Sequence, residues 1–242
     1  MIGHSLLGYQ LGLFGREAAV QGGDLVGYTT TLEVDAALDL YRQGLFPLPA
    51  GGAFAWFFPE VRAVMRLGPE AIPVPTSTIK LASRYRVAID SNPLAVVEAC
   101  AGTPRPGGWI DDEMIGFYKG AIRAGHLHSV EVYDDGDLAG GLFGITTGGV
   151  FCGESMFHAA PNTSKLALAV LAAEARRCGY ALIDGQWITS HLISVGFVAA
   201  DRRSYRRMLA DAAKASPLPL PSGPLELDRA RLRRLIAPLP HA

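Results

Sequence analysis

Two rhythms alternate along the chain. Short apolar runs of period two and amphipathic stretches near period 3.6 are separated by Gly, Pro and Asp. Residues 1–30 are Gly-rich and weakly patterned, with room for one short strand. Leu32, Ala36, Leu38, Leu40 and Tyr41 fall at helical spacing, and Gly44 follows as a stop. Residues 45–52 carry Pro47, Pro49, Gly51 and Gly52, so a loop is expected there. Aromatic residues crowd 54–58, and 63–67 reads as a strand before the proline-bounded stretch 69–75. A short helix at 76–83, a strand at 85–89 and a helix opened by Pro93 follow. A turn-rich loop over 104–108 delivers Trp109 to a helix at 111–123, closed by Gly125. Residues 129–133 alternate as a strand, turn at Asp134-Asp135-Gly136-Asp137 and return over 138–145.

Residues 150–191 are the part around which the rest is arranged. One strand-like run over 150–156 contains Glu154, and a second over 180–184 ends in Asp184, with Gln186 just beyond. A single helix over 164–177 joins them. A strand, crossover helix and strand set two strand ends side by side. Polar groups in such strands are costly unless they have partners or chemistry to perform. A helix from about Thr189 and another over 202–213 close this region. The tail is Pro-rich over 216–224, with a short basic helix at 228–236.

This order predicts an α+β fold with a mixed sheet covered by helices. Three stretches are expected: a small N-terminal α/β domain (1–70), a catalytic domain (71–214) and the tail (215–242). The element order of the second is close to that of acetyltransferase-like (GNAT-like) folds.

Composition narrows the function classes. The 242 residues are 49% hydrophobic with a formal charge of −1, enough for a sizeable core and without a global basic field. Cys100, Cys152 and Cys178 are odd in number and lack CxxC spacing, which suits buried reduced thiols in a cytoplasmic protein. The N-terminus has no basic segment before its short apolar run, and no window is long enough for a membrane span, so a soluble cytoplasmic chain is expected. His126 and His128 have no further ligands at metal spacing. Ser155 beside His158 has no third partner for a triad, and Gly136–Gly149 lacks a helix-opening GxGxxG.

A series of motifs adds what periodicity cannot. Gly22-Gly23-Asp24-Leu25, Gly44-Leu45-Phe46-Pro47, Trp56…Pro59…Arg62-Ala63-Val64, Tyr85-Arg86-Val87, Trp109-Ile110 and His128-Ser129-Val130-Glu131-Val132 appear first. Gly140-Gly141-Leu142-Phe143-Gly144, Phe151-Cys152-Gly153-Glu154-Ser155-Met156-Phe157, Ser164-Lys165, Leu182-Ile183-Asp184, Gln186, His191-Leu192 and Ser194 complete it. In this order they resemble the leucyl/phenylalanyl-tRNA–protein transferases. The resemblance implies transfer of an amino acid (Leu, Phe or Met type) from aminoacyl-tRNA to the α-amine of a protein beginning with Lys or Arg, within N-end-rule degradation. The ester is already activated, so no cofactor or metal is implied. The site must align reactants, keep the amine neutral and stabilise an oxyanion.

By that resemblance Asp184 is the carboxylate that completes deprotonation of the amine, Gln186 bridges it to the amine, and Glu154 orients the acceptor's positive end. Strand alternation would put 184 and 186 on one face, which also suits a simple strand-end cap. Leu142, Phe151, Met156, Leu168, Leu171, Ala175, Ile183 and Thr189 map to the pocket for the transferred side chain, with plain core as the alternative for Leu168 and Leu171. Trp109 corresponds to a tryptophan that stacks near the terminal adenosine. Lys80, Arg84, Arg86, Arg202, Arg203, Arg206 and Arg207 are candidates for acceptor-stem phosphates, and the implied partners are the tRNA 3′ end and an amine acceptor, met by a monomer. The chain departs from the family pattern at Leu48, Gly108, Gly185 and Trp187, and over Val195-Gly196-Phe197 and Ala200-Asp201-Arg202. Those departures leave open another donor, a peptide or small-molecule amine, a CoA-dependent N-acyltransferase, or a non-catalytic binder.

Overall fold

The computed structural model describes residues 23–104 and 109–240. Residues 1–22, with Gly22 and most of the stretch expected to be irregular, lie outside them, as do residues 105–108 with Gly108.

The first elements are β1 (Leu25–Thr29), α1 (Val34–Arg42), β2 (Phe46–Pro49) and β3 (Phe54–Phe57). Helix α1 buries Leu38, Leu40 and Tyr41 of the spaced positions together with Ala37, while Ala36 is half-buried and Leu32 precedes the helix. Gly44 ends it at φ 83°, its N–H donating to the Tyr41 carbonyl. A Cβ there would stand 2.7 Å from the Tyr205 ring, so turn and close approach both call for glycine. The expected loop at 45–52 is corrected in part: β2 is an edge strand paired antiparallel to β3 in a three-stranded sheet. Pro47 and Pro49, two apart, face one edge of the strand, and an edge strand needs donors on its other side only.

Next come β4 (Val61–Arg66), α2 (Thr76–Leu81), β5 (Arg86–Ile89), α3 (Pro93–Ala101) and α4 (Asp112–Arg123). Asn92 and Asp111 cap the last two by accepting from the N–H groups of Ala95 and Met114, and Asp112 and Glu113 complement the α4 dipole. The hairpin β6 (Leu127–Asp134) and β7 (Asp137–Thr147) leads to β8 (Val150–His158), α5 (Thr163–Arg177) and β9 (Leu182–Trp187). Last are α6 (Ser190–Ser194), β10 (Val198–Asp201), α7 (Arg202–Ala212), β11 (Gly223–Leu225) and α8 (Arg229–Ile236).

The large sheet runs β10-β4-β9-β8-β7-β6-β5-β11. Strands β8 and β9 are parallel and the other neighbours antiparallel, so the mixed sheet contains the expected strand–helix–strand unit. Strand β10 was not legible as a strand, being four residues on a sheet edge. Strand β4 precedes the 69–75 stretch and β11 belongs to the tail, yet both join this sheet.

Alternate residues build a core on each face. Val130, Val132, Leu142, Phe151 and Ile183 pack with α5, while Phe143, Ile145, Val150 and Leu182 pack with α1, α3, α4 and β3. Helix α5 is buried along nearly its whole length, which explains a run of Leu, Ala and Val without a polar face. No helix among the described residues is long and apolar enough to cross a membrane.

Candidate active site

Two β-bulges place the polar residues. In β8, Phe143 stands opposite Ser155 and Gly144 opposite Gly153, so Glu154 is the extra residue. In β9, Trp187 stands opposite Arg62 and Asp184 opposite Val64, so Ala63 faces both Gly185 and Gln186. Gln186 takes φ 63°, a left-handed conformation uncommon outside glycine. Bulges bend a strand and re-aim its side chains. The parallel register between β8 and β9 ends at Cys152 opposite Asp184. A cavity of about 700 Å³ opens just beyond it, lined by Glu154, Asp184 and Gln186.

Asp184 is 1% exposed and its oxygens are occupied. Arg62 donates from Nε to Oδ1 at 2.7 Å and from Nη2 to Oδ2 at 2.5 Å. The Tyr205 hydroxyl donates to Oδ2 at 2.7 Å, and the main-chain N–H of Gln186 to Oδ1 at 2.9 Å. Four donors match the four or so lone-pair positions of a carboxylate. Burial opposes the charge on Arg62, but Asp184 together with Tyr205 and Cys152 raises the guanidinium pKa. Nη1 of Arg62 has no hydrogen-bond partner among the described residues; the guanidinium lies between the rings of Phe46 and Tyr205, 4.8 and 4.7 Å from their centroids.

Glu154 is held more loosely. Tyr41 donates to Oε1 at 3.0 Å, Gln186 Nε2 to Oε1 at 3.3 Å, and Tyr118 to Oε2 at 2.8 Å. Burial pushes its pKa up to about 7, against the two tyrosine hydrogen bonds, with the Asp184 charge adding to the rise. Both tyrosines are themselves pushed well above their ordinary range, chiefly by burial, and remain neutral donors. The Cys152 thiol lies 3.8 Å from Asp184 Oδ2 and 4.0 Å from Gln186 Nε2, and burial raises its pKa too. Asp184 therefore meets Gln186 through the main chain, while the side-chain amide of Gln186 meets Glu154. Strand alternation does not hold through the bulge.

Leu142, Phe151, Met156, Leu168, Leu171, Ile183 and Thr189 line the cavity. Ala175 is fully buried in the α5 core and is not part of that lining. Trp109 also lies outside the lining, half-buried against the second core. Lys80 and Arg203 are exposed, and Arg84 pairs with Asp134 at 3.4 Å. Arg202 donates to the carbonyls of Gly23, Phe58 and Pro59, which ties α7 to the N-terminal strands. Trp187 donates from Nε1 to Asp24 Oδ2 at 3.0 Å and meets Phe46 edge-on at 4.6 Å, so it bridges the two sheets.

Comparison with known proteins gives this arrangement its family. The family described as leucyl/phenylalanyl-tRNA protein transferase matches residues 67–210. A leucyl/phenylalanyl-tRNA–protein transferase of Rhodopseudomonas palustris is 38% identical over 184 residues, 74% of this chain and 82% of the relative. That of Pseudomonas fluorescens is 41% identical over 195 residues, 78% of this chain and 82% of the relative. The chain belongs to the leucyl/phenylalanyl-tRNA–protein transferase family. It is a transferase enzyme, moving an aminoacyl group from tRNA to the amino terminus of a protein.

Four residues that hold Asp184 and Glu154 carry no role in the sequence reading: Arg62, Tyr41, Tyr118 and Tyr205. An arginine inside the apolar run Val61-Arg62-Ala63-Val64-Met65 was the one available signal, since a buried charge needs a partner. The tyrosines read as apolar helix positions because their polar tips lie at the far end of an apolar ring.

Proposed function

We propose that Glu154, Gln186 and Asp184 divide the work of aminoacyl transfer. The α-amine of the acceptor attacks the carbonyl carbon of the ester, the bond to the tRNA 3′ oxygen breaks, and an amine proton ends on that oxygen. Glu154 faces the amine and takes its proton, and Gln186 orients the amine beside it. Asp184 fixes the bulged main chain that aims Gln186. The observation that carries this division is the ion pair: the charged guanidinium of Arg62, with Tyr205 and the Gln186 N–H, holds Asp184, whereas the neutral donors Tyr41, Tyr118 and Gln186 hold Glu154. A carboxylate with a pKa near neutrality is also the better proton acceptor for an amine at cellular pH.

The apolar cavity wall from Leu142 to Thr189 would receive the donor side chain of Leu, Phe or Met type, and Trp109 would stack on the terminal adenosine. Lys80, Arg84, Arg86 and Arg203, with Arg206 and Arg207, would meet acceptor-stem phosphates; Arg202 would assist by holding α7 in place. The acceptor is a protein beginning with Lys or Arg, within N-end-rule degradation in the cytoplasm, and the enzyme works as a monomer without a cofactor. Residues 1–70, 71–214 and 215–242 form an N-terminal unit, an acetyltransferase-like catalytic unit and a tail, with β4 and β11 crossing between them.

The test is purified protein with labelled Leu-, Phe- or Met-tRNA and a peptide beginning with Arg or Lys. Labelled peptide, lost in Glu154→Gln and Asp184→Ala, is the expected outcome. Labelling from acetyl-CoA in place of aminoacyl-tRNA would overturn the reading.

A further inference from the structure

Gly185 lies between the two proposed site residues Asp184 and Gln186, and its missing side chain is filled by something else. A Cβ built there would stand 2.8 Å from Phe197 Cε1, 3.1 Å from Phe197 Cδ1 and 3.1 Å from Leu192 Cδ1. Contacts under 3.0 Å are essentially absent between real side chains, and the atom met here belongs to a packed ring. Phe197 is 4% exposed and belongs to the same core as Leu168, Leu171 and Ile183. It also lines the large cavity together with those residues, Leu192 and Gly185. The ring thus takes the volume that any side chain at 185 would occupy, and presents its surface to the apolar part of the site.

We propose that Phe197, seated against the bare backbone of Gly185, is a wall of the cavity that receives the transferred side chain and limits its size. This rests on the transferase function above and adds a specificity-determining pair to it. A packed wall selects by volume, because a side chain that must enter cannot displace a buried ring seated against the Gly185 backbone within a close-packed core. Discrimination by one or two carbons in an apolar pocket is worth about 10- to 200-fold in kcat/KM. Phe197 therefore sets the preference between branched aliphatic and aromatic donors, with Gly185 as its seat.

The experiment compares Leu-tRNA and Phe-tRNA as donors for wild type, Phe197→Leu and Phe197→Ala, using one Arg-initiated peptide. The Phe:Leu ratio of kcat/KM should rise in Phe197→Leu and rise further, by about tenfold or more, in Phe197→Ala. An unchanged ratio with all donors falling together would make Phe197 a core filler and sink the wall. A wild type that transfers from no donor would sink the underlying function, and the wall with it. Thermal unfolding gives a readout independent of donors and of the fate of any one variant. Gly185→Ala should lower Tm in the wild-type background and lower it far less in the Phe197→Ala background. Equal losses in both backgrounds would show that the ring is not seated on Gly185.

Discussion

Arg62 Nη2 lies 2.5 Å from Asp184 Oδ2, and both side chains are 1% exposed, so the site is built over a buried ion pair. Removing one partner of such a pair leaves the other charge uncompensated, at a cost of about 3–5 kcal/mol. Asp184→Ala and Arg62→Leu should each lose that much in urea unfolding and lose transfer as well. The double variant Arg62→Leu/Asp184→Ala should be less destabilised than the sum of its parts, while remaining inactive. An additive double variant would mean that the pair is not the linchpin of the site.

Glu154 makes stability depend on pH. Its folded pKa, about 7, is raised above the ordinary 4.5 by burial, so the unfolded chain binds fewer protons than the folded one between those values. Its contribution is fully present below about 4.5 and is lost as pH rises through about 7, a loss on the order of 3 kcal/mol. Glu154→Gln should show a flatter stability profile than wild type between pH 5 and 8, measured by denaturant unfolding. Parallel profiles would contradict the assignment.

The tyrosines tune that carboxyl. Tyr118 donates to Glu154 Oε2 at 2.8 Å, and such a bond favours the charged form. Tyr118→Phe should move the acidic limb of the kcat/KM profile upward by about one pH unit, the value of one hydrogen bond to a charged group. Tyr41→Phe should shift it the same way, to a lesser extent given its longer 3.0 Å contact. A uniform fall in rate with an unmoved limb would assign the tyrosines a packing role.

Trp109 is half-buried ahead of α4, packed against the second core and outside the cavity lining. Base–aromatic stacking is worth about 1–3 kcal/mol, so Trp109→Ala should raise KM for aminoacyl-tRNA by about 5- to 150-fold. Its kcat at saturating donor should change little. A fall in kcat alone would exclude a stacking role.

Much of this was legible in the chain because local rules sufficed. The period of α1, the Pro93 and Asp111 starts and the Asp-Gly hairpin each depend on a few neighbouring residues, and they formed as spacing and capping dictate. The crossover from β8 to β9 followed from handed chain connection, and the ordered motifs carried the family. Tertiary structure decided matters that rest on residues distant in sequence. Pro47 and Pro49 stand in a strand because β2 lies at a sheet edge, which no local signal announces. Asp184 meets Arg62 from 122 residues away, and Tyr41 meets Glu154 from 113. The two bulges lie beyond a rule of strict alternation, since each reflects how one strand fits its partner. The sequence by itself singled out Glu154 and Asp184, the two carboxylates that line the cavity. Only the packing around them decided which one is paired with a cation and which with neutral hydroxyls, because those partners come from residues far away in the chain.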